Sequence, residues 1–248
     1  MEPAIHLHDL TLGYARHPAV HHVSGTFEQG SLTAIVGPNG AGKTTLMKGL
    51  VGALRPLSGR VAHADGGAPD IAYLPQQTQM DPSFPISVLD AACLGYWRRT
   101  GMFGRVDRVL RDRALETLAG VGLNGFEERP VGTLSRGQFQ RLLFARMALQ
   151  DAPVILMDEP LTAVDERSAD DLLALLDRWH GEGRTIIAVL HDLALVRDRF
   201  PETLLLAREV VGWGTTAEVL SDANLGRARA MAEAWDEAAP VCERDDAA

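Results

Sequence analysis

A glycine-rich segment from Gly37 to Thr45 carries the residue types that bind phosphate groups. It fits the pattern Gly-x-x-x-x-Gly-Lys-[Ser/Thr], which ends here in Gly42, Lys43 and Thr44. The glycines let backbone N–H groups surround phosphate oxygens, the Lys43 ammonium adds a positive charge, and the Thr44 hydroxyl can ligate Mg²⁺. The segment therefore predicts a nucleoside-triphosphate site formed by Gly37, Pro38, Asn39, Gly40, Ala41, Gly42, Lys43, Thr44 and Thr45.

Two adjacent carboxylates follow an apolar segment in the second half of the chain. Asp158 and Glu159 come directly after residues 154–157, Val-Ile-Leu-Met. Such a run is typical of a buried strand, and parallel α/β sheets bind ligands beyond the carboxyl ends of their strands. We therefore expect Asp158 to hold Mg²⁺ through water and Glu159 to polarise the water that attacks the nucleotide.

A third motif lies at a predicted helix start. Ser135 and Gln138 form a Ser-x-x-Gln capping box, followed by a helix with an apolar face. Taken alone, this pattern predicts only a helix N-terminus. However, residues 134–138, Leu-Ser-Arg-Gly-Gln, closely resemble the Leu-Ser-Gly-Gly-Gln signature of ATP-binding cassette (ABC) ATPases, with Arg136 in place of a glycine.

The resemblance to ABC ATPases extends over residues 5–220 and covers the glycine loop and the carboxylate pair in the family's order. It implies that Ser135, Gly137 and Gln138 bind ATP held by a second subunit. ATP and Mg²⁺ are then the implied cofactors, and a homodimer of ATPase subunits is the implied assembly.

The same resemblance assigns roles to four more residues. Tyr14 is similar to the aromatic residue that stacks on adenine, and Gln76 to the glutamine that senses Mg²⁺ and the γ-phosphate. Asp165 is similar to the aspartate that crosses the dimer interface, and His191 to the switch histidine that contacts the γ-phosphate. The implied catalytic residues are Gln76, Glu159 and His191, and the implied Mg²⁺ ligands are Thr44, Gln76 and Asp158.

Several of these positions have plainer interpretations. Gln77 is a second candidate for the Mg²⁺-sensing glutamine, Tyr14 fits a core residue at a strand end, and Asp165 fits a helix cap. His6 and His8 share one face of a predicted strand and could chelate a metal. Because no Cys or acidic ligand stands at zinc-site spacing, we expect a solvated face instead.

The hydrophobic pattern predicts an α/β fold. Apolar runs predict strands over residues 31–36, 71–74, 154–157 and 185–190. Helical patterns between them favour a mostly parallel central sheet, as in the P-loop fold of ABC ATPases. Alternating residues at 5–12 and 20–27 predict two antiparallel strands of a small β-subdomain. We expect one ABC ATPase domain over 1–225, with a helical subdomain at about 87–150, and then a short helix and acidic tail over 226–248.

Within the predicted helical subdomain, one stripe of apolar residues and one interruption stand out. The stripe runs from Val106 through Leu110 and Leu118 to Val121, and the interruption lies at residues 98–104. Tyr96 and Trp97 precede it, next to two arginines. Because mixed aromatic and arginine surfaces suit protein partners, we expect Tyr96 and Trp97 to be exposed and to dock a permease.

Composition narrows the classes of protein. The 248 residues include 24 Lys and Arg against 33 Asp and Glu, a net charge of −9, which argues against nucleic acid as a partner. The longest apolar runs are far shorter than the roughly 18 residues of a membrane span, and no signal sequence is visible. We expect a cytoplasmic chain, peripheral at the inner face of the membrane, whose pore is a separate integral membrane permease.

Residues 79–95 bear on the cargo. The stretch Phe-Pro-Ile-Ser-Val at 84–88, followed by a helix that ends at Gly95, resembles ATPases of bacterial zinc and manganese uptake systems. The resemblance implies import of a divalent transition metal, zinc first, supplied by an extracytoplasmic metal-binding protein. A manganese, iron-chelate or cobalamin importer, or an ABC ATPase outside transport, stays open.

Overall fold

The computed structural model describes residues 3–15, 17–64, 70–76, 84–101, 104–162, 164 and 166–233. Its strands are β1 (Pro3–Tyr14), β2 (His17–Glu28), β3 (Leu32–Val36), β4 (Ser58–His63), β5 (Ile71–Leu74), β6 (Val154–Asp158), β7 (Thr185–Val189), β8 (Glu202–Ala207) and β9 (Glu209–Thr215). Its α-helices are α1 (Lys43–Leu50), α2 (Val88–Cys93), α3 (Trp97–Thr100), α4 (Arg108–Gly120), α5 (Arg136–Gln150), α6 (Glu166–Gly181), α7 (Leu193–Arg199), α8 (Thr216–Val219) and α9 (Asp222–Glu233). Two compact units emerge: Met1–Pro69 with Thr185–Ala248, and Asp70–Arg184.

Strands β2, β1 and β4 form an antiparallel sheet in the first unit. The alternating pattern predicts the β1–β2 pair, whereas the pairing of β4 with β1 was not predicted. The apolar positions shift phase between Leu7 and Leu10, where the pairing of β1 with β2 is irregular and Asp9 has φ 46°. A bulge of this kind inserts a residue, so that Leu7 and Leu10 both reach the core.

The glycine loop follows strand β3, which belongs to a second set of paired strands in the first unit. Strand β3 pairs in parallel with β7 on one side and β8 on the other, and β9 pairs antiparallel with β8. Every residue of β3 and β7 is buried, which is typical of parallel strands covered on both faces. The predicted, mostly parallel sheet is therefore confirmed, whereas β8, β9 and helix α7 were not predicted.

The second unit combines the parallel pair β5 and β6 with packed helices. Helices α2, α4 and α5 share a core that includes Leu89, Leu118 and Leu142. Within the described residues, no helix is both long and apolar enough to cross a membrane.

Two expectations for this helical region are wrong. Val106 is 39% exposed and precedes α4, because Asp107 caps the helix through a hydrogen bond from the Leu110 N–H. Tyr96 is only 2% exposed, since its hydroxyl donates a 3.1 Å hydrogen bond to the Leu110 carbonyl. The apolar stripe thus starts at Leu110, and only Trp97 of the predicted aromatic pair faces solvent, with 55% exposure.

The interruption itself starts later than predicted. Helix α3 continues to Thr100, and Gly101, at φ 66°, follows it as the C-cap residue. This positive φ favours glycine, and the helix ends there.

Candidate functional site

The glycine loop connects β3 to α1 in the first unit. Gly42 is the N-cap of α1 with φ 90°, and Gly40 has φ 77°. A Cβ atom on Gly37 would collide with the Leu206 carbonyl oxygen, and one on Gly42 would collide with the Ala19 carbonyl oxygen. Backbone conformation and close packing therefore both require glycine in this loop.

Lys43 lies inside this loop. Lys43 is only 7% exposed, and its Nζ donates hydrogen bonds to the carbonyl oxygens of Gly37 at 2.8 Å and Pro38 at 3.0 Å. The ammonium group is thus held among the backbone groups that are predicted to surround phosphates. Of the remaining loop residues, Asn39 and Gly40 are exposed, Thr44 is half-buried, and Ala41 and Thr45 are buried.

His191 follows β7 at the same sheet edge as the glycine loop. Ile35 of β3 is opposite Val189 of β7, and the Leu190 N–H donates a 3.1 Å hydrogen bond to the Ile35 carbonyl. His191 is exposed, and the neighbouring Asp192 caps α7. The structure therefore brings His191 to the same edge as Gly37, as the parallel pairing requires.

Tyr14 ends β1 on the surface of the first unit. Its residue is 49% exposed, so the interpretation of Tyr14 as a core residue is wrong. Lys48 Nζ donates a 3.3 Å hydrogen bond to the Tyr14 hydroxyl and lies 5.7 Å from the ring centroid. The exposed ring is available for stacking, and its predicted role toward adenine stays a prediction.

In the second unit, Gln76 and the carboxylate pair share a sheet edge. Leu74 of β5 is opposite Met157 of β6, so the residues that follow each strand lie at neighbouring strand ends. Asp158 is 1% exposed, whereas Gln76 is exposed. Carboxylate, amide and hydroxyl oxygens are ligands that Mg²⁺ prefers, so Asp158, Gln76 and Thr44 are chemically suited to the predicted metal.

The turn after Asp158 contains contacts that the sequence analysis missed. Glu159 has φ 53°, and the Thr162 hydroxyl donates a 3.2 Å hydrogen bond to its carboxylate Oε2. Gln140 Nε2 of α5 donates a 2.7 Å hydrogen bond to the Pro160 carbonyl. No sequence pattern indicates the contact between Gln140 and Pro160, because these residues belong to different elements.

Ser135 is the N-cap residue of α5, as predicted. Its hydroxyl accepts a 3.3 Å hydrogen bond from the Gln138 N–H, and its own N–H donates a 2.9 Å hydrogen bond to Gln138 Oε1. The capping box is therefore confirmed. Ser135 and Arg136 are exposed and Gly137 is half-buried, which leaves the first turn accessible to a ligand.

Two predicted positions and part of the cargo-related stretch lie outside the described residues. These are Asp165, Gln77 and residues 79–83.

The histidine pair of β1 has close ring contact but limited ligand capacity. The ring centroids of His6 and His8 are 4.0 Å apart, and His6 Nδ1 is hydrogen-bonded to the Thr26 hydroxyl at 2.7 Å. Desolvation, with the charges of Arg60 and His6, lowers the pKa of His8. Across the described ranges, no group of three or more His, Cys, Asp or Glu residues could hold a metal ion.

Comparison with known proteins adds independent information. Residues 20–162 match the family model described as ABC transporter. A manganese transport system ATP-binding protein, MntB, of Listeria monocytogenes is 36% identical over 220 residues, 87% of this chain and 92% of the relative. A zinc transport system ATP-binding protein, TroB, of Treponema pallidum is 36% identical over 231 residues, 91% of this chain and 86% of the relative.

Solved structures agree with the sequence relatives. An inward-facing ABC transporter described as of the metal-chelate type has a TM-score of 0.81 and 27% identity to this chain. The alignment covers 92% of this chain and 89% of that one. The predicted P-loop α/β fold is therefore confirmed.

Proposed function

Since the chain belongs to the ABC transporter family and is an ATP-hydrolysing transport subunit, we propose that it drives the import of a divalent transition metal, and that this metal is zinc. The observation that carries the proposal is its similarity, over most of its length, to ATP-binding subunits named for manganese and zinc transport. Manganese is the second candidate, supported by the Listeria relative. An iron-chelate or cobalamin importer is the next alternative.

The first part of the proposed mechanism is nucleotide binding. The backbone N–H groups of the glycine loop and the ammonium of Lys43 bind the β- and γ-phosphates of ATP, and Tyr14 stacks on the adenine. The buried position of Lys43 supports this role, because a charge held in low dielectric attracts phosphate more strongly than one in water. Thr44, Gln76 and, through water, Asp158 would hold Mg²⁺, and the ion would neutralise phosphate charge.

The second part is hydrolysis in a homodimer. Two copies bind two ATP molecules, each between the glycine loop of one copy and the first turn of α5 in the other. Ser135, Gly137 and Gln138 then contact the γ-phosphate side of the nucleotide, and Asp165 lies at the dimer interface. Glu159 polarises the attacking water, His191 contacts the γ-phosphate, and Gln76 would sense both the γ-phosphate and Mg²⁺. Hydrolysis then reopens the dimer.

The third part is coupling to a separate membrane permease at the inner face of the membrane. In the second unit, Phe84 and Trp97 are more than half exposed, and Leu94 also reaches the surface. Exposed aromatic side chains on a transport subunit are suited to bury themselves against a partner. We assign these residues to the permease contact, and the extracytoplasmic binding protein delivers the metal to the permease.

The proposal is tested by metal uptake in metal-starved cells that carry the native chain, Glu159→Gln, or no copy. If the chain drives zinc import, labelled zinc enters only with the native chain, and excess manganese competes weakly. Manganese uptake that depends on Glu159, with little zinc uptake, would replace zinc by manganese. If neither ion depends on the chain, the metal proposal fails and chelate importers become the next candidates.

A further inference from the structure

The turn that follows β6 is tied to helix α5, and we infer that Gln140 is a positioning residue for Glu159. This inference rests on the proposed function, in which Glu159 polarises the attacking water. Gln140 itself touches neither nucleotide nor water in this inference, because its hydrogen bond goes to the backbone of the turn.

The backbone at Glu159 needs external support. Its φ of 53° lies in the left-handed region, which is unfavourable for a residue with a Cβ. Such conformations persist where the surrounding structure holds them. The next residue, Pro160, is buried and has a fixed φ, so the direction of the Glu159 side chain depends on how the Pro160 peptide is anchored.

Two side chains provide that support. Thr162 binds Glu159 from within the turn through two 3.2 Å hydrogen bonds. Its N–H donates to the Glu159 carbonyl, and its hydroxyl donates to the Glu159 carboxylate. Gln140 anchors the turn to another element, because its amide N–H donates to the Pro160 carbonyl at 2.7 Å. Thr162 therefore shapes the turn, whereas Gln140 sets its position relative to α5.

Helix α5 also begins with the Ser135 capping box, so one rigid helix carries both the proposed nucleotide contact of Ser135 and the Gln140 amide that binds the turn. Gln140 is five residues after Ser135, about 7.5 Å along a helix that rises about 1.5 Å per residue. A shift of the first turn when it contacts nucleotide is carried to the Pro160 carbonyl through Gln140. Misplacement of a reacting group by about 1 Å can lower the rate about a hundredfold. This link therefore makes the rate of hydrolysis depend on the position of α5.

The test compares four purified full-length chains: native, Gln140→Met, Gln140→Lys and Gln150→Met. Methionine has nearly the length of glutamine but no N–H donor, and lysine restores a donor at similar reach. Gln150, at the other end of α5, is the matched control. ATPase rates are measured against ATP concentration, and amide hydrogen exchange is measured over residues 158–162.

We expect Gln140→Met to lower kcat at least about tenfold with KM changed less than about twofold, because transition-state geometry is lost and not binding. We expect Gln140→Lys to recover most of the rate, and exchange over 158–162 to rise only in Gln140→Met. Native kcat and native exchange in Gln140→Met would overturn the inference, as would equal losses in Gln150→Met. Glu159→Gln is measured in parallel: if it keeps activity, the proposed role of Glu159 fails, whereas if it alone is inactive, only Gln140 is refuted.

Discussion

Replacement of Lys43 by alanine tests the assignment of the glycine loop. Lys43 Nζ makes two hydrogen bonds to loop carbonyls at 2.8 and 3.0 Å, so the ammonium is fixed before it meets a phosphate. A hydrogen bond to a charged group contributes about 1.5–3 kcal/mol, so losing one such bond to phosphate weakens ATP binding about 10- to 150-fold. We expect a dissociation constant for ATP raised within that range in Lys43→Ala.

We expect the same substitution to affect the stability of the fold less than it affects ATP binding. It removes a buried charge together with two hydrogen bonds, so a desolvation cost and a favourable interaction disappear together. We expect the free energy of unfolding to change by no more than about 1–2 kcal/mol. The chain would then stay folded while its affinity for ATP falls.

The assay is isothermal titration with ATP and Mg²⁺, with urea unfolding of each variant alongside. The control is Arg55→Ala, which removes an exposed cation from the same unit. Native ATP affinity in a folded Lys43→Ala chain would refute the phosphate role of the loop. An equal loss in Arg55→Ala would show that net charge, and not the position of Lys43, governs binding.

Three other changes give distinct outcomes. Glu159→Gln should abolish turnover yet keep an ATP-bound dimer on size-exclusion chromatography; an active or persistently monomeric variant contradicts this. Gly37→Ala should lower the free energy of unfolding by at least about 2 kcal/mol, because its Cβ would collide with a carbonyl oxygen. Its control, Gly40→Ala, has open space around the new Cβ and should lower that free energy by about 1 kcal/mol in the same urea assay. Equal losses in the two variants would be inconsistent with this packing. Burial lowers the pKa of His63 below its ordinary 6.5, so as the pH drops the His63 side chain is protonated in the unfolded chain before it is in the folded chain. The free energy of unfolding therefore falls as the pH drops below about 6.5. His63→Gln should flatten that fall in urea titrations at pH 7 and pH 5, and an unchanged slope would refute it.

Local patterns were sufficient where a structure depends on neighbouring residues. The glycine loop, the capping box of Ser135 and the buried strands β3, β6 and β7 all follow from residue types within about ten positions. The shared edge of Gln76 with Asp158, and of Gly37 with His191, follows from parallel pairing once the strands are known.

Errors arose where partners are distant in the chain. Tyr96 was expected at the surface, but its hydroxyl finds a carbonyl acceptor in α4, and this contact depends on how two helices pack. Strand β9 was missed because its sequence holds two glycines and weak alternation, and it forms by pairing with β8. One error was local: an apolar stripe does not show where a helix starts, and the cap at Asp107, not the periodicity, excluded Val106 from α4.

By itself, the sequence predicted which residues bind phosphate, hold Mg²⁺ and activate water, because those predictions rest on residue types and short spacings. Only the tertiary structure decided that Lys43 is buried among carbonyls, that Tyr14 is exposed beside Lys48, and that Gln140 anchors the Pro160 turn. These contacts join residues whose distance in space is set by packing, and packing depends on the whole chain and not on any local pattern.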